Sequence, residues 1–389
     1  MGINLPCYVI IVTLCLCLAQ VFIWPSGRIS LLITDTFQGL LSYPIFVIIV
    51  GYIILNFSWT NDIAPVMLNR VSGQSFLNPY DVSELRDFNI FALVVTLFSS
   101  VLNRAGWIGN DTSGAGRTPH EQKMAGVLGA WKNGFASMMI LLLAVVVITF
   151  MTGPRFMHSD NKFKISRTEI RQELSAKVLD DVVADTAVRA KVMKAIHKIP
   201  ETFTKQEWDR PLSQQHNLDT PYFNAVRDTL GDTPDARHQF QKYRSLYQQM
   251  VMPSVVSKIF PVGMLGLFCL LMVMLLISTD DSRIFNASST LTQDVILPMF
   301  KGHLDQRKHL LLLRLTSVAV ALLFLMVSIF FAQLDYINMF ITIMCALWLG
   351  GAGPIMVFGL YSRFGNLTGA WCSIILGSGT SLLGLRIYP

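Results

Sequence analysis

Residues 261–290 read PVGMLGLFCLLMVMLLISTDDSRIFNASST, and the change of character inside this stretch decides the fold. Val262 to Ile277 hold no charged residue, and Ser278-Thr279-Asp280-Asp281-Ser282 then place hydroxyls and carboxylates at the end of the same run. A helix needs about 20 apolar residues to cross a bilayer. With the residues just upstream, Val255–Thr279 supplies that length, and the helical pattern continues toward Thr290. Carboxylates at such a depth are expensive unless they meet a partner, an ion or an aqueous path.

Similar runs recur outward in both directions. Spans are expected at Pro6–Trp24, Ile29–Phe57, Phe88–Gly109, Ala125–Thr152, Val255–Thr279, His309–Gln333, Ile337–Tyr361 and Leu367–Leu385. The composition agrees: 52% of the 389 residues are hydrophobic and 14% charged, where a soluble domain carries about 25% charge. The first run lacks a basic flank and a small-residue cleavage site, so it reads as a span and not as a signal peptide. The fold class is therefore all-α integral membrane, with about eight transmembrane helices. Four spans fall in 1–152 and four in 254–389, and the hydrophilic segment 153–253 lies between them.

Lys and Arg in short loops set the orientation. Arg28, Arg117, Lys123, Arg283, Lys301, Arg307, Lys308 and Arg363 fall in one set of alternate loops. The other set holds Arg70 and Arg86, diluted by Asp62, Asp81, Glu84 and Asp87, and a loop at Asp335 with no base. The first set is assigned to the cytoplasm of a multi-pass protein of the plasma (inner) membrane. That places 153–253 and both chain ends outside. The net charge of +6 is loop charge that orients helices; it does not call for nucleic acid.

Segment 153–253 has helical punctuation. Ser166-Arg-Thr-Glu169 is a capping box, followed by Ile170, Leu174, Val178, Val182 and Val183 at helical spacing. Thr220-Pro221 opens a second helix that Leu230-Gly231 closes, and Thr233-Pro234 opens a third. The third is expected to run to about Met250, with Pro253 stopping it. A helical extracytoplasmic insert is expected, with His197, His216 and His238 as solvated side chains. Thr118-Pro119-His120-Glu121 is a further helix start. His120-Glu121 lacks the second histidine of a zinc-protease motif, and no phosphate-binding loop, nucleophile elbow or catalytic carboxylate pair is present. The chain is not expected to be an enzyme. Cys7, Cys15, Cys17, Cys269, Cys345 and Cys372 all lie in apolar runs, without zinc-site spacing.

Three places break the apolar pattern. Asp35 sits a few residues into the second span; it reads either as an intramembrane carboxylate with a partner or as one reaching interfacial water. Ser278, Asp281 and Ser282 share a helix face. Their hard oxygens suit a small cation, or the hydroxyls satisfy backbone carbonyls. Gly350-Gly351-Ala352-Gly353-Pro354 permits close packing or marks a broken helix that binds or bends.

Three segments together resemble the sodium:solute symporter family. Gly27-Arg28-Ile29-Ser30 with Thr34-Asp35-Thr36-Phe37-Gln38 is similar to the start of its fifth core helix. Pro261 to Thr290, with Asp294, is similar to its eighth. Tyr361-Ser-Arg363-Phe-Gly-Asn366-Leu-Thr-Gly369-Ala370 resembles the junction of its tenth and eleventh. The resemblance implies a five-plus-five inverted-repeat core, of which this chain would supply helices four to eleven. It implies a main sodium site using the Ser278 and Thr279 hydroxyls and the Leu275 carbonyl, completed by a first helix that the chain does not contain. It implies a sodium path or second sodium site at Asp35, Ser278, Asp281 and Ser282, with Asp281 replacing the family's hydroxyl. Substrate groups are weakly marked: Asn103, Trp107 and Asn110 near the end of the sixth core helix, and Cys345 where sugar carriers place a glutamine.

The function implied is sodium-coupled symport of a small organic solute across a lipid bilayer by part of a transporter. The alternatives are a transporter-fold sensor or receptor, or an inactive truncated copy. With no first core helix, these residues alone are not expected to transport.

Overall fold

The computed structural model describes residues 5–78, 80–84, 94–100, 116–158, 163, 165–202, 204–207, 212–300, 305–331, 337–363 and 365–387. Among them twelve helices are well delimited. These are α1 (Leu5–Ser26), α2 (Arg28–Asn56), the short α3 (Ala64–Leu68), α4 (Pro119–Thr152), α5 (Arg167–Val182), α6 (Thr186–His197), α7 (Thr220–Leu230), α8 (Pro234–Ile259), α9 (Val262–Thr290), α10 (Gln306–Phe331), α11 (Ile337–Tyr361) and α12 (Leu367–Ile387). Among the described residues, five helical stretches are long and apolar enough to cross a membrane: Arg28–Asn56, Pro119–Thr152, Val262–Met299, Gln306–Ile329 and Met344–Tyr361. Val9–Trp24 and Leu367–Leu383 are shorter apolar helices. The chain is a multi-pass membrane protein. The expected span Phe88–Gly109 lies mostly outside the described residues, of which 94–100 are helical.

The helices divide into two compact units, Met1–Pro79 with Asp111–Gln333, and Tyr80–Asn110 with Leu334–Pro389. In the first, α9 packs on α1, α2 and α10. Gly27 makes the turn from α1 to α2 at φ 52°, a region open to glycine at no steric cost. A Cβ there would meet the Phe285 ring of α9 at 3.3 Å, so the turn sits directly on α9. Polar contacts tie α1 to α10: the Ser317 hydroxyl donates to Gln20 Oε1 at 3.1 Å, and Arg314 Nε donates to the Trp24 carbonyl at 3.1 Å. In the second unit α11 and α12 pack backbone to backbone, because Gly350 faces Gly377 with no room for a Cβ on either. Ser373 Oγ donates to the Gly351 carbonyl at 2.9 Å and Ser378 Oγ to the Leu347 carbonyl at 3.2 Å. The small-residue run of α11 is thus a packing surface, and α11 continues through Pro354.

Helices α5–α8 form the hydrophilic insert. Ser166 and Glu169 cap α5 reciprocally, and Gly231 ends α7 at φ 86°. Between them lies α6, which the apolar spacing did not announce; Asp185 caps it through the Ala187 N–H. The expected stop at Pro253 does not occur: α8 runs on to Ile259. Proline deletes one helical hydrogen bond, but Val255, Val256 and Ile259 beyond it are buried in the main core and hold the helix. The insert has its own core of Leu174, Val178, Val192, Phe223, Tyr243 and Tyr247.

Burial in that core raises the pKa of both tyrosines above the ordinary value, that of Tyr247 well above it. Both must therefore stay neutral in the fold. Below the ordinary tyrosine range near 10 their contribution to stability is complete; above it the unfolded chain loses protons that the folded chain keeps. Thermal melts between pH 8 and 11 are expected to hold flat to about pH 10 and then fall. Tyr243→Phe is expected to soften that fall, and a slope unchanged by the substitution would refute the assignment.

Candidate cation site

Asp35 stands on α2 two turns from the Gly27 turn, where α2 runs against α9. Its neighbours Thr34 and Thr36 spend their hydroxyls on their own helix, Thr34 on the Ser30 and Leu31 carbonyls and Thr36 on Leu32. Asp35 does not: its Oδ1 accepts the Ser278 hydroxyl of α9 at 2.5 Å. Asp35 thus has a partner across the helix pair instead of reaching for interfacial water alone. A hydroxyl-to-carboxylate bond of this length is charge-assisted and among the stronger kind.

One turn along α9, Asp281 is 0% exposed. Its Oδ1 is met by the Ser282 hydroxyl at 3.3 Å, and its Oδ2 is buried without a hydrogen-bond partner. The Asp35 charge acts on it from α2. Leaving a buried carboxylate oxygen undonated is costly, so the arrangement has an unmet demand for positive charge. The donors on hand are carboxylate and hydroxyl oxygens, the set that hard cations select and soft metals do not. The stripe continues as Phe285, Ser288 and Thr292, all buried. Ser288 donates to the Phe285 carbonyl at 3.0 Å, while the Thr292 hydroxyl is buried without a partner. Sequence reading passed over Thr292, although the steps of four, three and four residues from Asp281 through Phe285 and Ser288 to Thr292 were visible.

Leu275 and Thr279 lie elsewhere on α9. The Thr279 hydroxyl donates to the Leu275 carbonyl at 2.8 Å, and Thr279 is exposed. The structure therefore brings Asp35, Ser278, Asp281 and Ser282 to the α2–α9 contact, and leaves Thr279 exposed while Leu275 packs partly buried against the main core. Asn103, Trp107 and Asn110 lie outside the described residues. Cys345 is an exposed residue of α11. In the insert, His197 Nδ1 lies 2.7 Å from the Met193 carbonyl, and His216 Nδ1 lies 2.8 Å from the buried Glu207 carboxylate.

The model of the sodium:solute symporter family matches residues 231–377. The matched stretch runs from the start of α8 into α12; it includes Leu275, Ser278, Thr279, Asp281, Ser282 and Cys345, and it leaves Asp35 outside. No curated protein and no solved structure matches the chain.

Proposed function

We propose that this chain acts in sodium-coupled symport of a small organic solute, as sodium:solute symporters do, with α1, α2, α4 and α9–α12 belonging to an inverted-repeat core. The observation that carries the reading is the undonated, fully buried Asp281 oxygen beside the Asp35–Ser278 pair, on a helix inside the family match. Sodium is cargo here. Asp35, Ser278, Asp281 and Ser282 would hold it at a second site or on its path. The main site would use the Leu275 carbonyl and the Ser278 and Thr279 hydroxyls. The open face at Thr279 suits further ligands from another helix. Sodium entering from outside would draw that helix to α9 and favour the outward-open form; release past Asp35 would favour the inward-open one. The loop charges support a plasma-membrane protein with its insert outside.

The test is direct. Calorimetric titration of the purified chain in lipid nanodiscs is expected to show saturable sodium binding that potassium and choline do not reproduce. Sodium-gradient uptake by a complete transporter that contains these residues, from a panel of labelled sugars, amino acids and carboxylates, then identifies the solute. Identical heats for sodium, potassium and choline would overturn the proposal.

A further inference from the structure

We infer that the hydrophilic insert is a strap that fastens the adjoining ends of α2, α4 and α9 into one rigid body. An insert needs only its two covalent ends to stay attached. This one makes additional attachments at three separate places.

The first is the end of α4. The last carbonyls of a helix have no partner within it. Here Arg167 Nη1 donates to the Thr152 and Gly153 carbonyls at 2.7 and 3.0 Å, and Arg171 Nη2 to the Met151 carbonyl at 2.5 Å. Both arginines are buried, and Arg167 is among the largest fully buried side chains. Positive charge at a helix C-terminus is electrostatically favourable. Glu201 and Asp219 of the insert hold the other sides of the two guanidinium groups at 2.6 and 2.7 Å. Each arginine therefore bridges insert and span.

The second is the stretch after α3. Asn69 Nδ2 donates to the Thr204 carbonyl at 2.9 Å, Gln206 N–H to the Asn69 carbonyl at 3.1 Å, and Val71 N–H to the Gln206 carbonyl at 3.2 Å. This is a short parallel bridge between Arg70 and Gln206, residues far apart in the chain. The third joins α8 to α2: the Tyr52 hydroxyl donates to the Ile259 carbonyl at 2.8 Å, with the Tyr52 and Phe260 rings edge to face. Because α9 starts directly after Phe260, this contact also fixes the head of α9. The Arg155–Asp62 ion pair at 2.9 Å closes the circuit between the ends of α4 and α2. Movement in a working cycle must then occur between this body and other helices, and not within it. The inference rests on these contacts alone and stands whether or not the chain carries sodium.

Hydrogen exchange on the full chain in nanodiscs tests it. Val71→Pro deletes one N–H donor of the bridge without touching the insert's core. Cooperative units open together, so the Gln206 amide, and with it those of Gly153 and Phe156 at the α4 end, is expected to exchange at least about tenfold faster. Amides inside α7 and α8, such as Val226 and Tyr243, are expected to keep their wild-type rates. If Gln206 alone accelerates, or if nothing does, the attachments are independent and the strap is refuted. Should Val71→Pro fail to fold, Asn69→Ala removes the Thr204 contact more gently, and the same pair of outcomes decides.

Discussion

In a complete transporter that contains these residues, Ser278→Ala and Thr279→Ala are each expected to abolish sodium-dependent uptake at sodium concentrations that saturate the unaltered protein. The reason differs for the two. Ser278 supplies the one hydroxyl seen on Asp35. Its loss removes a sodium ligand and leaves a carboxylate oxygen with one donor fewer. A hydrogen bond to a charged group is worth about 1.5–3 kcal/mol, which corresponds to roughly a ten- to hundredfold loss of cation affinity. Thr279 bonds only its own helix at Leu275 and faces outward. Its removal costs the fold little, so any loss of uptake reports on sodium at the main site. Uptake measured across a sodium series separates the possibilities. A defect in Ser278→Ala alone would place the coupling ion at Asp35 and not at Leu275–Thr279. Unchanged uptake in both variants at every sodium concentration would sink the sodium assignment for α9. Asp35→Asn, which keeps the shape and removes the charge, is expected to follow Ser278→Ala.

That helices carry this site was legible because bilayer length and hydropathy are one-dimensional properties, but the expected span Val255–Thr279 is broken at Phe260–Pro261: its first residues end α8, and α9 starts at Val262. The bounds expected for the seventh span coincide with α11, and Thr118, Ser166 and Gly231 cap the helices they were expected to cap. Pairings between helices were less legible. Nothing in the spacing of Ile29–Phe57 says that Asp35 points at Ser278 instead of water; that follows from the Gly27 turn packing on Phe285. The division of α9 into a buried face with Asp281 and an open face with Thr279 likewise needed neighbours. In the insert, α6 was missed because Thr186–His197 mixes Lys, Arg and Ala among its few apolar residues, so its periodicity is weak. Nothing in the polar segment around Arg167 and Arg171 marks these two side chains of α5 as caps on the end of α4. Their burial is a tertiary fact.

The largest effect on stability is expected from Asp219→Ala in the insert. Arg171 is 3% exposed in its side chain, and its charge survives there against the penalty of burial. Asp219 Oδ1 accepts from Arg171 Nε at 2.7 Å and from the Tyr247 hydroxyl at 3.1 Å. These offset the desolvation so far that Arg171 ends more basic than an ordinary arginine. Removing the carboxylate leaves a buried guanidinium whose remaining partner here is the Met151 carbonyl, and a buried phenol without its acceptor. Breaking one side of such a pair costs about 3–5 kcal/mol, whereas replacing both sides with apolar groups is often close to neutral. Arg171→Met alone should be milder, because Asp219 is 24% exposed in its side chain and can rehydrate. The expected order of destabilisation in urea melts of the purified chain is Asp219→Ala first, then Arg171→Met, with the double variant well below the sum. Additive losses would mean that the two residues do not act as a pair, and that the cap on α4 is held by packing instead of charge.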